Sequence, residues 1–157
     1  IQISDIKDFM SHLLSKDTFD HFYFIEASIK MGVSYQIQGR INEGFYDTSV
    51  EQTLNREFCY WKEIRHRIFD IIKGKRLPLS CKIVLGLSKQ SISYLIAHNN
   101  SSFREEDIEG IYVNILYDPK NLLITTGISY KNFSLDKSLE YAFDEYLAKF
   151  LKEKAVI

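Results

Sequence analysis

The sequence predicts an α+β fold, an antiparallel sheet built from two hairpins plus a central strand, with helices packed on one face. Three observations carry that expectation. Apolar and polar residues alternate with period two in two pairs of neighbouring runs, each pair joined by a turn. Helical spacing of apolar residues recurs between and beyond those pairs. Between the hairpins lies Gly74 to Leu87, GKRLPLSCKIVLGL, which ends a helix, crosses a basic turn and enters a strand with apolar odd positions Leu79, Cys81, Ile83, Leu85 and Leu87.

In chain order, Ile6, Phe9, Met10, Leu13 and Leu14 repeat at helical spacing. Ser4 offers an N-cap and Asp5 and Asp8 suit the positive helix end, so a helix is expected over 5–15. Tyr23, Ile25, Ala27 and Ile29 then face inward, alternating with Phe24, Glu26, Ser28 and Lys30. Gly32 supplies a turn, after which Val33, Tyr35, Ile37 and Ile41 are expected inward and Ser34, Gln36, Gln38 and Arg40 outward. Residues 42–59 are polar and irregular, with room for a short helix capped by Asp47 or Thr48.

Helical period returns with Trp61, Ile64, Ile68, Phe69, Ile71 and Ile72 and stops at Gly74, a candidate C-cap. Pro78 stands where a strand can begin without losing a ladder hydrogen bond. Ser88 can cap a helix with Ile92, Leu95 and Ile96 on one face. Ile111, Val113, Ile115 and Tyr117 form one run and Leu122, Ile124, Thr126 and Ile128 the next, joined by Asp118-Pro119-Lys120-Asn121 with type I turn chemistry. The last helix carries the stripe Leu135, Leu139, Ala142, Phe143, Tyr146, Leu147, Phe150 and Leu151, with charged residues on its other side.

At 157 residues the chain is expected to be a single domain over 1–157, and folding at this size buries about 68–70% of the unfolded surface. The pattern halves, 1–74 and 75–157, match in the order of their helices and hairpins. An internal pseudo-duplication and two unrelated α/β runs account equally for that match. Net charge is −1, so any role at nucleic acid or an anionic membrane would need a local patch. Cys59 and Cys81 have neither disulfide-scaffold nor zinc spacing, and reduced thiols in a cytoplasmic protein are the simplest expectation. No stretch approaches the roughly 20 apolar residues of a membrane span, and no membrane partner is expected.

Several blocks, DIKDFMSHLL, TFDHF, WKEIR, KGKRLPLSCKIVL and TTGISYKNFSLDKSLEYAFDEYL, resemble an uncharacterised family of small proteins from anaerobic Gram-positive bacteria, a domain of unknown function. The resemblance spans essentially the whole chain and implies no activity, cofactor or catalytic residue. At the level of topology, the repeated order of strand, helix and hairpin loosely resembles the repeat of sliding DNA clamps. The near-neutral charge and the lack of a basic face on helix 5–15 count against a clamp.

Candidate chemistry is sparse. Glu63-x-x-His66 has the spacing of a carboxylate and imidazole on one helix face, but di-iron sites need two such pairs and further carboxylates. No metal, cofactor or catalytic residue is expected. The chain has no GxSxG, P-loop, GxGxxG or HExxH, which leaves only enzymes with a motif-free pocket. The strongest functional pattern is basic. Lys62, Arg65, Arg67, Lys73, Lys75 and Arg76, with His66 among them, could hold phosphates, nucleic acid or an acidic partner, against the alternative of a solvated helix face and its cap. A second pattern is the outward hairpin face with Gln36, Gln38, Arg40, Lys82, Tyr112, Asn114 and Thr125, which could take a ligand or simply be solvated. Val84 and Leu116 on that side imply partial cover, by residues 42–59 or by a second copy in a homo-oligomer. The resulting expectation is a non-catalytic binding or regulatory module. The alternatives are a nucleic-acid or phosphate binder through 62–76, and an enzyme with a motif-free pocket.

Overall fold

The computed structural model describes residues 1–46 and 56–157, so the short helix expected at Asp47 or Thr48 lies outside the described residues. Within them are four α-helices: α1 (Ile6–Leu14), α2 (Trp61–Ile72), α3 (Lys89–His98) and α4 (Ser138–Glu153). Five strands, β1 (Tyr23–Lys30), β2 (Ser34–Gln38), β3 (Ser80–Gly86), β4 (Ile108–Tyr117) and β5 (Leu122–Tyr130), form one antiparallel sheet in the order β2-β1-β3-β4-β5. The fold is α+β, and β3 is the middle strand between the two hairpins. The hairpins of both sequence halves thus share a single sheet.

The register assigns each strand residue to a face. Cross-strand rows such as Ile37–Ala27–Ile83–Ile115–Ile124 and Tyr35–Ile29–Cys81–Tyr117–Leu122 line the inner side. There the helices bury Phe9, Leu13, Trp61, Ile68, Phe143, Leu147 and Leu151 against them. Phe19 links α1 to α4, with its ring 5.8 Å from both Phe9 and Phe150. The Trp61 indole N–H donates to Leu13 O at 2.8 Å and so ties the start of α2 to the last turn of α1. A buried indole donor left unpaired would be costly, which fixes this contact.

Several local expectations are corrected. The alternation in β1 changes parity: Phe24 is fully buried while Tyr23 and Ile25 are half-buried. The cause is a bulge, since Phe24 pairs with Leu85 and Glu26 with the adjacent Val84, leaving Ile25 as the extra residue. Val33 and Tyr35 are on the inner side but exposed, because β2 lies at the sheet margin, where the helical layer does not cover it. Leu79 is 69% exposed and the strand begins at Ser80. Leu135 is 80% exposed and outside α4, whose first N–H, that of Ser138, donates to the Asp136 carboxylate at 2.9 Å. The α1 cap is Asp5 rather than Ser4, its carboxylate accepting from Asp8 N. Lys73 caps α2, and Gly74 follows with φ +141°, a conformation L side chains rarely adopt. Ser88 caps α3 as expected, accepting from Ser91 N, and the Asp118 carboxylate receives the Lys120 and Asn121 N–H groups in the β4–β5 turn. No helix among the described residues is long and apolar enough to cross a membrane.

Candidate functional site: an open sheet face

Side chains that point away from the helices form the outer face of the sheet. Its rows run Gln38–Glu26–Val84–Asn114–Thr125 and Gln36–Ser28–Lys82–Leu116–Leu123. At one end of this side, Lys89 and Ile92 of α3 line a small cavity with Tyr112. Gln36, Gln38 and Lys82 are exposed, and Tyr112, Asn114 and Thr125 are half-buried. Val84 is buried between its cross-strand neighbours Glu26 and Asn114, whereas Leu116 is 37% and Leu123 36% exposed. The partial cover expected over Leu116 is not provided by the described residues.

The face holds two shallow concavities. One, of about 220 Å³, lies beside β2 and is lined by Glu26, Ser28, Gln36, Gln38 and Lys82. The larger, about 610 Å³, has Leu116 and Leu123 as an apolar floor and Lys30, Lys82 and Asp118 among its walls. Neither Lys30 nor Lys82 makes an ion pair among the described residues. The chemistry of this surface is neutral amide and hydroxyl hydrogen bonding, two available cations and a small apolar floor.

Arg40 stands two residues beyond β2, paired with Glu57 and lying over the Phe58 ring. Tyr112 lies at the same end, its phenol pKa raised by burial and by the nearby Glu109 and Glu57 carboxylates. Its hydroxyl folds over Gly110, where an added Cβ would sit 2.2 Å from that oxygen. Arg40 and Tyr112 are thus committed to local packing at one end of the face.

The basic segment does not form a single patch. Arg65 is held in a half-buried pair with Asp20, Nε to Oδ1 at 2.8 Å and Nη2 to Oδ2 at 3.1 Å, which joins α2 to the segment after α1. Lys73 pairs with Asp70 at 2.9 Å. Lys62 lies over the Tyr60 ring, and helical spacing puts Arg67 on the flank shared with Glu63 and Asp70. Lys75 and Arg76 are exposed and unpaired among the described residues, next to exposed Leu77 and Leu79.

Glu63 is also occupied. Its carboxylate accepts from Arg56 at 2.7 and 2.8 Å and from the Tyr60 N–H at 2.6 Å, and the Arg56 hydrogen bonds hold its pKa below the usual range. Glu63 and His66 therefore form a helix cap and an exposed imidazole, and no metal-holding cluster occurs among the described residues. Cys81 is buried under the sheet, which pushes its thiol up to about 12, and burial also raises Cys59. Neither has thiolate character near neutral pH.

A further cavity, about 260 Å³ between the segment after α1 and α4, was not legible from the sequence. It gathers Asp17, His21, Tyr146 and Lys154 over Phe22 and Phe150. Their sequence separations leave no spacing signal. Ser91 also lines this cavity; burial raises the Tyr146 pKa against an opposing hydrogen bond with Ser91, and neither Asp17 nor His21 makes a side-chain hydrogen bond among the described residues.

No curated protein and no solved structure matches the chain. Residues 12–157 match the model of a family of unknown function (DUF5721), and the chain belongs to that family.

Proposed function

We propose that the protein is a non-catalytic binding module whose outer sheet face receives an acidic polypeptide segment. The observation that supports this reading is the 610 Å³ concavity, where an exposed Leu116–Leu123 floor is flanked by Lys30 and Lys82. Exposed leucines favour an apolar side chain, and the two cations favour a neighbouring carboxylate. Serine, glutamine and asparagine side chains around them supply hydrogen bonds to a peptide backbone. Nucleic acid is a poorer fit to this surface, because base stacking needs aromatic platforms and Tyr112 is folded over Gly110.

The experiment is selection from a displayed peptide library, followed by mapping of the winners on the isotope-labelled protein. Acidic peptides with one large apolar residue are expected, shifting the amides of Lys30, Lys82, Leu116 and Leu123. Lys82→Glu should weaken binding by about tenfold, the size of one interfacial charge-assisted contact. An unchanged Kd in Lys82→Glu, or shifts confined to other surfaces, overturns the reading.

A second reading, a nucleic-acid or phosphate ligand at 62–76, is favoured by Lys75 and Arg76, which are exposed and unpaired among the described residues, beside a turn. It is weakened by the ion pairs that occupy Arg65 and Lys73. Labelled single- and double-stranded DNA, titrated at low salt against the native chain and Lys75→Glu/Arg76→Glu, separates the two. Salt-sensitive binding lost in that variant would favour the second. An enzyme reading would rest on the Asp17, His21, Ser91, Tyr146 and Lys154 cavity, where neither Asp17 nor His21 is hydrogen bonded to a hydroxyl among the described residues.

A further inference from the structure

Among the described residues, β2 is an edge strand without the usual protections. Its sequence, SYQIQ, has no charge, no proline and no bulge, and four of its five residues are exposed. Such an edge is a template for another strand unless something covers it.

The direction of its backbone groups can be read from its neighbours. The Gly39 N–H donates to Ile25 O at 2.8 Å and the Val33 carbonyl accepts from Met31 N at 3.0 Å, so odd-numbered residues turn their backbone groups toward β1. Backbone groups alternate sides along a strand, so Ser34, Gln36 and Gln38 turn theirs outward. Among the described residues, no backbone hydrogen bond outside the ladders reaches these three.

The geometry points to β2 as a homodimer seam, in which a second copy of this chain pairs its own β2 antiparallel to the first about a two-fold axis at Gln36. Of the axes along this strand, the one at Gln36 overlaps all five residues. It opposes Gln36 to Gln36 and Ser34 to Gln38, which are the outward-pointing residues, so every free edge donor and acceptor finds a partner. On the inner side it sets Tyr35 against Ile37 of the other copy, an aromatic and β-branched pair of the kind that stabilises sheets. The strand brings no charge to the seam, so no like charges meet. A two-fold antiparallel pair is isologous and closes at two copies.

Room for the partner follows from the same exposures. Tyr35 is 38% and Val33 65% exposed on the helix side, which shows that the helical layer ends before β2. Pairing would join the sheets into one of ten strands, and bring the two concavities beside β2, each with Gln36, Gln38 and Lys82, to either side of the axis. This inference concerns the strand edge and does not depend on what the outer face binds.

The test is sedimentation velocity on the full chain over a wide concentration range, with three variants at an exposed residue whose side chain the fold does not use. The native chain should dimerise. Gln36→Lys places like charges opposite each other on the axis and should raise the dimer Kd by about tenfold or more. Gln36→Glu should do the same, and an equimolar mixture of the two should restore a heterodimer. Gln36→Cys should form a self-disulfide under mild oxidation, because opposed hydrogen-bonded residues lie about 5.5 Å apart at Cα, within disulfide reach. A native chain that stays monomeric at all concentrations overturns the proposal. So does a dimer that Gln36→Lys leaves intact and Gln36→Cys does not crosslink, since its seam would lie elsewhere. Monomeric protein whose edge binds an unrelated extended peptide would also overturn it in favour of a heterologous partner.

Discussion

At the scale of single residues, the start of the β1–β2 hairpin is held by one close approach. A Cβ added at Gly39 would meet the Phe24 carbonyl oxygen at 1.8 Å, and that oxygen is backbone and cannot rotate away. Gly39→Ala should therefore destabilise the fold by about 1–3 kcal/mol or more, the range for an overpacked site, read from the denaturant midpoint at unchanged slope. A loss below a few tenths of a kcal/mol would show that the hairpin can shift freely. The same neighbourhood explains a limit of sequence reading. Tyr23, Ile25, Ala27 and Ile29 form an unbroken alternation, yet Phe24 is the buried residue because the bulge at Ile25 resets the parity. A bulge changes which side chains face inward without changing any residue type, so the pattern carries no mark of it. Trp61, by contrast, was legible as a core residue from its place in the α2 stripe, while its bond to Leu13 O depends on tertiary approach.

At the scale of elements, period and burial agree wherever a helix has one clear apolar side. In α4, Leu139, Phe143, Leu147 and Leu151 are all buried, and Ala142, Tyr146 and Phe150 pack around them. Leu147→Asp puts a carboxylate at a position only 1% exposed, with no partner in the stripe. We expect a loss above about 4 kcal/mol, enough to leave the domain unfolded at ordinary temperature by circular dichroism. A native-like melt would place the buried side of α4 elsewhere. Leu135 fails the same pattern because it precedes the helix start. The α2 cations show what a charge count omits. Arg65 and Lys73 are consumed by Asp20 and Asp70, one of them 45 residues away, and only the fold brings that acid into reach. The open face was legible as alternating polar positions, but its Leu116–Leu123 floor depends on the β4–β5 register, which sets those two side by side.

At the scale of the whole molecule, the sheet grades from a buried centre to an exposed margin. β3 has a hydrogen-bonded neighbour on each side, and Cys81, Ile83, Val84 and Leu85 are all buried. Among the described residues β2 has one neighbour, and it has almost no burial. The opposite edge is better protected, since the N-terminal residues lie along β5, with Ile3 N donating to Leu122 O at 2.9 Å and Ile124 N to Ile1 O at 2.8 Å. Local opening free energy follows such gradients, from near zero at frayed margins up to the global value in the core. Native-state hydrogen exchange should accordingly find the β3 amides exchanging only through global unfolding and those of β2 the fastest in the sheet at high dilution. The Gln36 amide is the informative one, because its N–H faces away from β1. In a monomer it exchanges as fast as a loop amide at every concentration; in a dimer joined at β2 its protection rises with protein concentration while that of β3 stays fixed. Uniform protection across all five strands at dilution would contradict the gradient, and a Gln36 amide indifferent to concentration would place any dimer seam away from this edge.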